Sequence, residues 1–354
     1  MQDALFEDPD DTPPEPARQP APARGARART AAAKVLPAPA DDGLRTLAER
    51  LPPRLHMGTS SWHFPGWAGL VWDGEHAQPT LSRHGLAAYA QHPLLRGVSL
   101  DRGFYRPLTA SQYAAYAAQV PPDFRFIVKA PALVTDALVR AEDGRGQQPN
   151  PAFLDPVLAV EQFVQPALEG LGSRIGALVF QLSPLPVHLL ARLPEVLERL
   201  RTLLAALPPL KPQAPDGVVA VEVRNPEFLT PAFAEVLRGT GATYCLGLHA
   251  KLPPIEAQLP LLRALWPGPL VCRWSLHRRH GAYGYETAKG LYEPFDRLVD
   301  PDPETREVLS KVIAGTVGAG WPAYVAINNK AEGSAPLSVQ ALAQAVAARA
   351  AGGR

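Results

Sequence analysis

Cysteine is scarce in this sequence: Cys245 and Cys272 are the only two among 354 residues, and neither belongs to a CxxC motif. A disulfide scaffold and a zinc site built from thiolates both need more cysteines than this, so the sequence argues against them. Such scarcity is typical of proteins in a reducing compartment, and we expect a cytoplasmic location.

Excess charge is nearly absent, since 35 Lys and Arg residues balance 34 Asp and Glu residues for a formal net charge of +1. A chain this neutral creates no overall field that would attract nucleic acid or an anionic membrane. No apolar run approaches the ~18 residues that cross a bilayer, and the start, MQDALFEDPDDTPPEPARQP, has no apolar signal core. We therefore expect neither secretion nor a membrane partner.

Motifs for cofactors are also missing. No GxGxxG fingerprint follows the first predicted strand, and no His, Cys, Asp or Glu residues show the tight spacing of metal ligands. The sequence therefore predicts no cofactor and no metal site.

The beginning of the chain is rich in proline, alanine and arginine and has almost no aromatic residues. A segment of this composition cannot bury enough apolar surface to become ordered. We predict a disordered tail over residues 1–44 and one folded domain over residues 45–354. Its basic stretch RGARARTAAAK fits a solvated tail better than a site for an anionic partner.

Beyond residue 54, short runs rich in Val, Ile, Leu and Phe alternate with segments of helical periodicity. We predict strands at 55–60, 96–101, 124–130, 177–182, 218–223, 243–249, 270–274 and 323–328. Thr109 is a predicted helix N-cap, and Pro231 occupies the predicted first turn of a later helix that ends at glycines.

The strands show little strict alternation of apolar and polar residues, which indicates parallel strands covered on both faces. A doubly wound open sheet of eight strands is the alternative architecture. The missing dinucleotide fingerprint and the length of the repeating region favour a single (β/α)8 TIM barrel.

TIM-barrel enzymes place their sites at the C-terminal ends of the strands, so the residues at those ends are the candidates for function. Each predicted strand ends in polar side chains: Ser60 and Trp62, Asp101, Lys129, Gln181, Glu222 and Arg224, His249, Arg273 and His277, and Asn328 and Asn329. Eight polar strand ends on one rim predict a ligand site. Taken alone, either histidine fits a structural role, and we expect Gln181 to satisfy backbone groups.

Glu222 and Arg224 lie two residues apart on a strand and therefore share one face. This geometry suits a catalytic carboxylate held by a guanidinium, and it suits a structural ion pair that closes the barrel equally well. We keep both alternatives. Glu222, Asp101 and Lys129 are the catalytic candidates, with Glu222 as the general acid or base.

The loop after the last strand, NNKAEGSAP, contains the parts of an anion site. Gly333 permits close backbone approach, Ser334 offers a hydroxyl donor and Lys330 supplies a charge. Together with Lys129, Arg224 and Arg273, this loop makes the rim locally cationic. We therefore expect a small anionic or phosphorylated ligand.

Five motifs, GTSSWHFPGW, GFYRP, FRFIVKAP, VEVRNP and INNKAEGSAP, in this order, resemble the YecE-like family, a domain of unknown function. The resemblance runs from about residue 54 to 345 and implies a TIM barrel. It also implies a polar site formed by Gly58, Thr59, Ser60, Trp62, Phe104, Tyr105, Arg106, Lys129, Glu222, Arg224, Arg273, Asn328 and Asn329. One departure is the segment VSLD, with Ser99 and Asp101, where the family usually has VEIN; Asp101 is then the residue that would replace the missing glutamate.

Three functions remain open from the sequence. The first is an enzyme, with hydrolase as the favoured class, acting on a phosphorylated or other anionic substrate. The second is a nucleic-acid-binding or processing protein, suggested by the basic LHRRHGAYGY segment and opposed by the neutral net charge. The third is a barrel that senses a small anion without turning it over. The oligomeric state stays open.

Overall fold

Eight parallel strands close into a barrel in the computed structural model, which describes residues 34–140 and 146–352. The barrel strands are β1 (Leu55–Thr59), β2 (Gly97–Leu100), β3 (Arg125–Lys129), β6 (Ile175–Gln181), β7 (Val218–Glu222), β8 (Thr243–Leu248), β9 (Leu270–Trp274) and β10 (Ala323–Ile327). Neighbours in this order pair in parallel, and β10 pairs with β1 to close the ring. The predicted TIM barrel is confirmed, and each predicted strand agrees with its observed bounds to within two residues.

Two further strands, β4 (Leu138–Arg140) and β5 (Gly146–Pro149), form an antiparallel pair outside the barrel. This pair is absent from the strands predicted above. Both strands are short and lack an apolar run, so their periodicity gives no strand signal.

Helices surround the barrel strands. They are α1 (Asp42–Glu49), α2 (Gln78–His84), α3 (Leu86–Tyr89), α4 (Ala110–Ala117), α5 (Ala132–Thr135), α6 (Pro156–Ala159), α7 (Gln165–Leu171), α8 (Val187–Leu190), α9 (Leu193–Ala206), α10 (Pro231–Thr240), α11 (Ile255–Ala264), α12 (Tyr285–Tyr292), α13 (Pro303–Gly318) and α14 (Ala335–Gly352). Among the described residues, no helix is long and apolar enough to cross a membrane.

Helix ends follow the local sequence. Thr109 caps α4 in a capping box with Gln112, as the sequence predicts. Helix α10 starts at Pro231 and ends before Gly241, whose φ of 72° gives the left-handed cap that glycine adopts without strain. These signals fix where the chain leaves each helix and returns to the barrel.

The core has two layers because each barrel strand buries both faces. Inside the barrel, small and branched side chains such as Ala177, Val179 and Ala220 pack with Tyr324. Outside it, a larger apolar cluster fills the space between strands and helices. Burial of both faces explains why the strand sequences read as continuous apolar runs.

The predicted tail divides at residue 34. Residues 1–33 lie outside the described residues. Val35 is buried, the Ala38 amide donates to the Val71 carbonyl at 2.9 Å, and Asp41 caps the first turn of α1. Residues 34–44 therefore pack on the loop after β1 and begin α1.

Candidate functional site

A cleft opens at the C-terminal ends of the barrel strands, and we call it the rim cleft. It encloses about 770 Å³ of empty space, solvent at its mouth included. Predicted site residues that line it are Ser60, Asp101, Tyr105, Lys129, Arg224, Arg273 and Asn328, joined by Gln181, His249, Lys251 and Tyr285. Its place at the C-terminal ends of the barrel strands is where TIM-barrel proteins hold their ligands.

Arg273, near the end of β9, ties three other strands together at the floor of the cleft. Its guanidinium forms ion pairs with Asp101 after β2 and with Glu222 on β7, the second at 2.8 Å. Nη1 also donates to Gln181 Oε1 at 2.8 Å. Burial opposes the charge, but Asp101 and Glu222 hold the pKa of Arg273 well above its ordinary value.

Glu222 lies beneath this floor and does not line the cleft. Its side chain is fully buried, with Arg224 Nη2 at 2.9 Å from Oε1 and Arg273 Nη1 at 2.8 Å from Oε2. Burial would raise the pKa of Glu222, yet Arg224 and Arg273 lower it overall, so the carboxylate stays charged. Of the two alternatives for this residue, the geometry favours the structural ion pair over the general base.

Gln181 contributes to the same floor through its side chain. Its Oε1 accepts from Arg224 Nη2 at 2.9 Å and from Arg273 Nη1 at 2.8 Å. The expectation that Gln181 satisfies backbone groups is therefore wrong. A carbonyl oxygen beside two buried guanidinium groups completes their hydrogen bonds, which buried charges require.

Asp101 is the carboxylate that faces the cleft. Ser99 Oγ donates to its Oδ1 at 2.6 Å, while Oδ2 pairs with Arg273. Ser99 and Asp101 stand where the motif VEIN, which the segment VSLD resembles, has glutamate and asparagine. They act together here, because alternate residues of an extended segment lie on one face.

Cationic side chains gather in the cleft. Lys129, Arg224, Lys251 and Arg273 line it, together with the carboxylate of Asp101, among the residues that the structure describes. Lys129 Nζ lies 3.6 Å from the centre of the Phe104 ring, a cation–π contact. Lys251 was missed because it lies in a loop and no sequence pattern marks it.

His249 supplies a neutral donor. Its Nδ1 accepts from the Lys251 backbone amide at 3.0 Å, so the proton of the neutral ring sits on Nε2. Burial, followed by the charges of Arg224, Lys251 and Arg278, lowers the pKa of His249 to about 2. Its ring also packs on Tyr285 with centroids 5.3 Å apart.

Asn328 faces the cleft and fixes its wall. Its Nδ2 donates to Ser60 Oγ at 2.9 Å, and its Oδ1 accepts from the Lys330 amide at the same distance. The hydrogen bond between Asn328 and Ser60 joins the loop after β10 to the loop after β1. Asn328 and Ser60 lie at the ends of adjacent strands, as the sequence predicts.

The remaining predicted members of the last loop do not line the cleft. Asn329, Lys330, Gly333 and Ser334 are buried, next to the start of α14. Asn329 Oδ1 accepts from the Ala335 amide at 2.8 Å and from Trp67 Nε1 at 3.2 Å. The structure thus keeps these residues apart from the cleft, and their ligand role stays a prediction.

The other predicted binding residues lie beside the cleft. His277 Nδ1 accepts from the Arg279 amide at 3.1 Å and so caps a short turn after β9. Trp62 and Arg106 line a neighbouring groove. Within residues 34–140 and 146–352, no three His, Cys, Asp or Glu side chains lie close enough together to hold a metal ion.

Comparisons with known proteins fit this architecture. A family model described as "Protein of unknown function DUF72" matches residues 56–353. A DUF72 protein from Thermotoga maritima is 21% identical with a TM-score of 0.51, over 82% of this chain and 97% of that one. A DUF72 protein from Enterococcus faecalis is 16% identical with a TM-score of 0.52, and the match covers 82% of this chain and 95% of that one. At these identities the likeness shows the fold alone. No curated protein matches the chain. The family match extends over most of its length, and the chain therefore belongs to DUF72, a family of proteins of unknown function.

Proposed function

We propose that the protein binds a small anionic ligand in the rim cleft, preferably one that carries a phosphate group, and acts on it as an enzyme. The observation that carries the proposal is the charge of the cleft. Arg273 already pairs with Asp101 and Glu222, and Glu222 is shared with Arg224. Lys129, Arg224 and Lys251 line the same cleft, so a bound anion would lie among several cationic donors.

Hydrolysis is the reaction class we favour. Asp101 is the cleft carboxylate that would orient or deprotonate an attacking water. The neutral His249 would donate from Nε2, and Lys129 and Arg224 would stabilise negative charge that develops on the substrate. Ser60 and Asn328, which are hydrogen-bonded to each other, would position the ligand. The motif resemblance to YecE-like proteins agrees with DUF72 membership, and we place the chain among them.

The test of binding compares Lys251→Ala with Lys311→Ala. Both changes remove one lysine charge, but Lys311 lies on α13 with its ammonium 3.1 Å from Glu307, outside the cleft. By calorimetry we expect inorganic phosphate to bind the wild type and the Lys311 variant equally. Lys251→Ala should weaken binding by about fivefold, equivalent to roughly 1 kcal/mol for a partly exposed charge. Equal loss in both variants, or no binding by the wild type, would refute the cleft as an anion site.

The test of catalysis uses p-nitrophenyl phosphate with the wild type and Asp101→Asn, after circular dichroism has confirmed that the variant folds. An enzyme that relies on Asp101 loses turnover in the variant and keeps phosphate binding. Binding without turnover in the wild type, over a panel of phosphate esters, would favour the non-catalytic anion sensor instead.

A further inference from the structure

A second cavity adjoins the rim cleft, and we call it the side groove. It lies between the loop after β1, helix α2 and the segment from β2 to the start of α4. Ser60, Asp101 and Tyr105 line both cavities, so the side groove and the rim cleft meet at these residues. The side groove encloses about 2310 Å³ of empty space, solvent included, and is the larger of the two.

The side groove is also cationic. Arg83, Arg102 and Arg106 line it, and all three are exposed. Among the described residues that line it, the carboxylate is Asp101, which pairs with Arg273 at the cleft floor. Helix α4 begins at this wall, so the amide dipoles of its first turn add to the positive potential.

Other lining groups suit the body of an organic ligand. Trp62 is 4% exposed and its indole Nε1–H has no hydrogen-bond acceptor among the described residues. Tyr105 lines both cavities and stands where they meet.

We infer that the ligand is a small organic molecule with two anionic groups, one held in the rim cleft and the other by the side-groove arginines. This inference rests on the proposed function of the rim cleft. Asp101 lines both cavities, so it lies beside the atoms that connect the two groups. The bond on which the protein acts would then lie in this connecting part of the ligand.

The experiment uses alkane bisphosphonates as molecular rulers. Alkane-α,ω-bisphosphonates of increasing length are compared by calorimetry with alkane monophosphonates of the same carbon number. At the length that matches the two cavities, we expect the bisphosphonate to bind the wild type about tenfold more tightly than its monophosphonate partner. The double variant R102A/R106A should lose this advantage and keep its affinity for the monophosphonate.

A matched control removes two arginines elsewhere. Arg192 and Arg201 lie in the α9 region, are well exposed and pair with neighbouring glutamates. R192A/R201A should retain the full difference in affinity between bisphosphonate and monophosphonate.

Three outcomes would contradict the inference. If the bisphosphonate still binds more tightly than the monophosphonate in R102A/R106A, or does not do so at any length in the wild type, the two-group inference is overturned and the cleft proposal stands. Failure of both ligand types to bind would refute both. A short single-stranded oligonucleotide that binds more tightly than every bisphosphonate, and depends on Arg102 and Arg106, would replace the small ligand with nucleic acid.

Discussion

Replacing Glu222 by glutamine tests the charged floor of the cleft. The substitution keeps the shape of the side chain and removes a charge that two guanidinium groups contact, at 2.9 Å from Arg224 and 2.8 Å from Arg273. Arg273 retains Asp101, and Arg224 retains Gln181, so each cation keeps one partner. We therefore expect the lower end of the range for a broken buried pair, a loss of about 3 kcal/mol in the free energy of unfolding.

The pH dependence of the free energy of unfolding provides a second test of Glu222. The pKa of Glu222 is lowered in the folded protein, so its charge contributes stability above the unfolded pKa of about 4.3, and this contribution is lost as the pH falls through the lower folded pKa. Urea unfolding should show the full difference between wild type and Glu222→Gln near neutral pH. The difference should shrink in increasingly acidic buffer.

The control is Glu195→Gln, which alters an exposed pair with Arg192 on the surface of the molecule. We expect no measurable change in stability for this variant, because solvent screens exposed pairs. A loss below about 1 kcal/mol for Glu222→Gln, or a difference that grows in acid, would contradict the assignment of Glu222 as an ionised counterion.

Two further predictions concern other parts of the barrel. Gly333 has a φ of 116°, and a Cβ there would lie 2.6 Å from the Arg297 carbonyl oxygen, so thermal unfolding of Gly333→Ala should show a loss of at least about 2 kcal/mol. Gly241→Ala, in open space at a φ of 72°, should lose only about 1 kcal/mol, and equal losses would contradict the packing argument. Burial, aided by Arg125, lowers the pKa of His56 to about 4, so its neutral form stabilises the fold above pH ~6.5 and that stability is lost as the pH falls toward 4. Wild type should therefore lose about 1.4 kcal/mol per pH unit more than His56→Gln in this interval, and parallel slopes would show that His56 is not held neutral.

The barrel could be predicted because its signals are local. Apolar runs mark the strands, and Thr109 and Pro231 mark helix starts, so strand order and the rim followed from the architecture. Membership of one rim also brought Asp101, Lys129 and Arg273 together as expected. Periodicity gives the direction of a strand, and direction was enough to place these three side chains together at one end of the barrel.

The sequence did not show how far below the rim each polar side chain lies. Glu222 ends β7 and Arg224 follows two residues later, yet Glu222 is enclosed beneath the cleft and Arg224 lines it. Asn329 and Ser334 look polar enough for a binding loop, but the loop folds inward against the start of α14. These differences come from contacts between residues far apart in the chain, which no local pattern encodes.

The ion pairs that Arg273 forms with Asp101 and Glu222 have a consequence for folding during synthesis on the ribosome. Asp101 follows β2 and leaves the ribosome long before β9, so a partly synthesised barrel contains this carboxylate without the guanidinium of Arg273. At that stage β1 also lacks its pairing partner β10. Burying an unpaired carboxylate is strongly unfavourable, and a nascent half-barrel therefore gains little by closing. The floor can form only when nearly the whole chain is available. Fragments that stop before β9 should stay open, and the barrel should appear as one late, cooperative event rather than growing strand by strand.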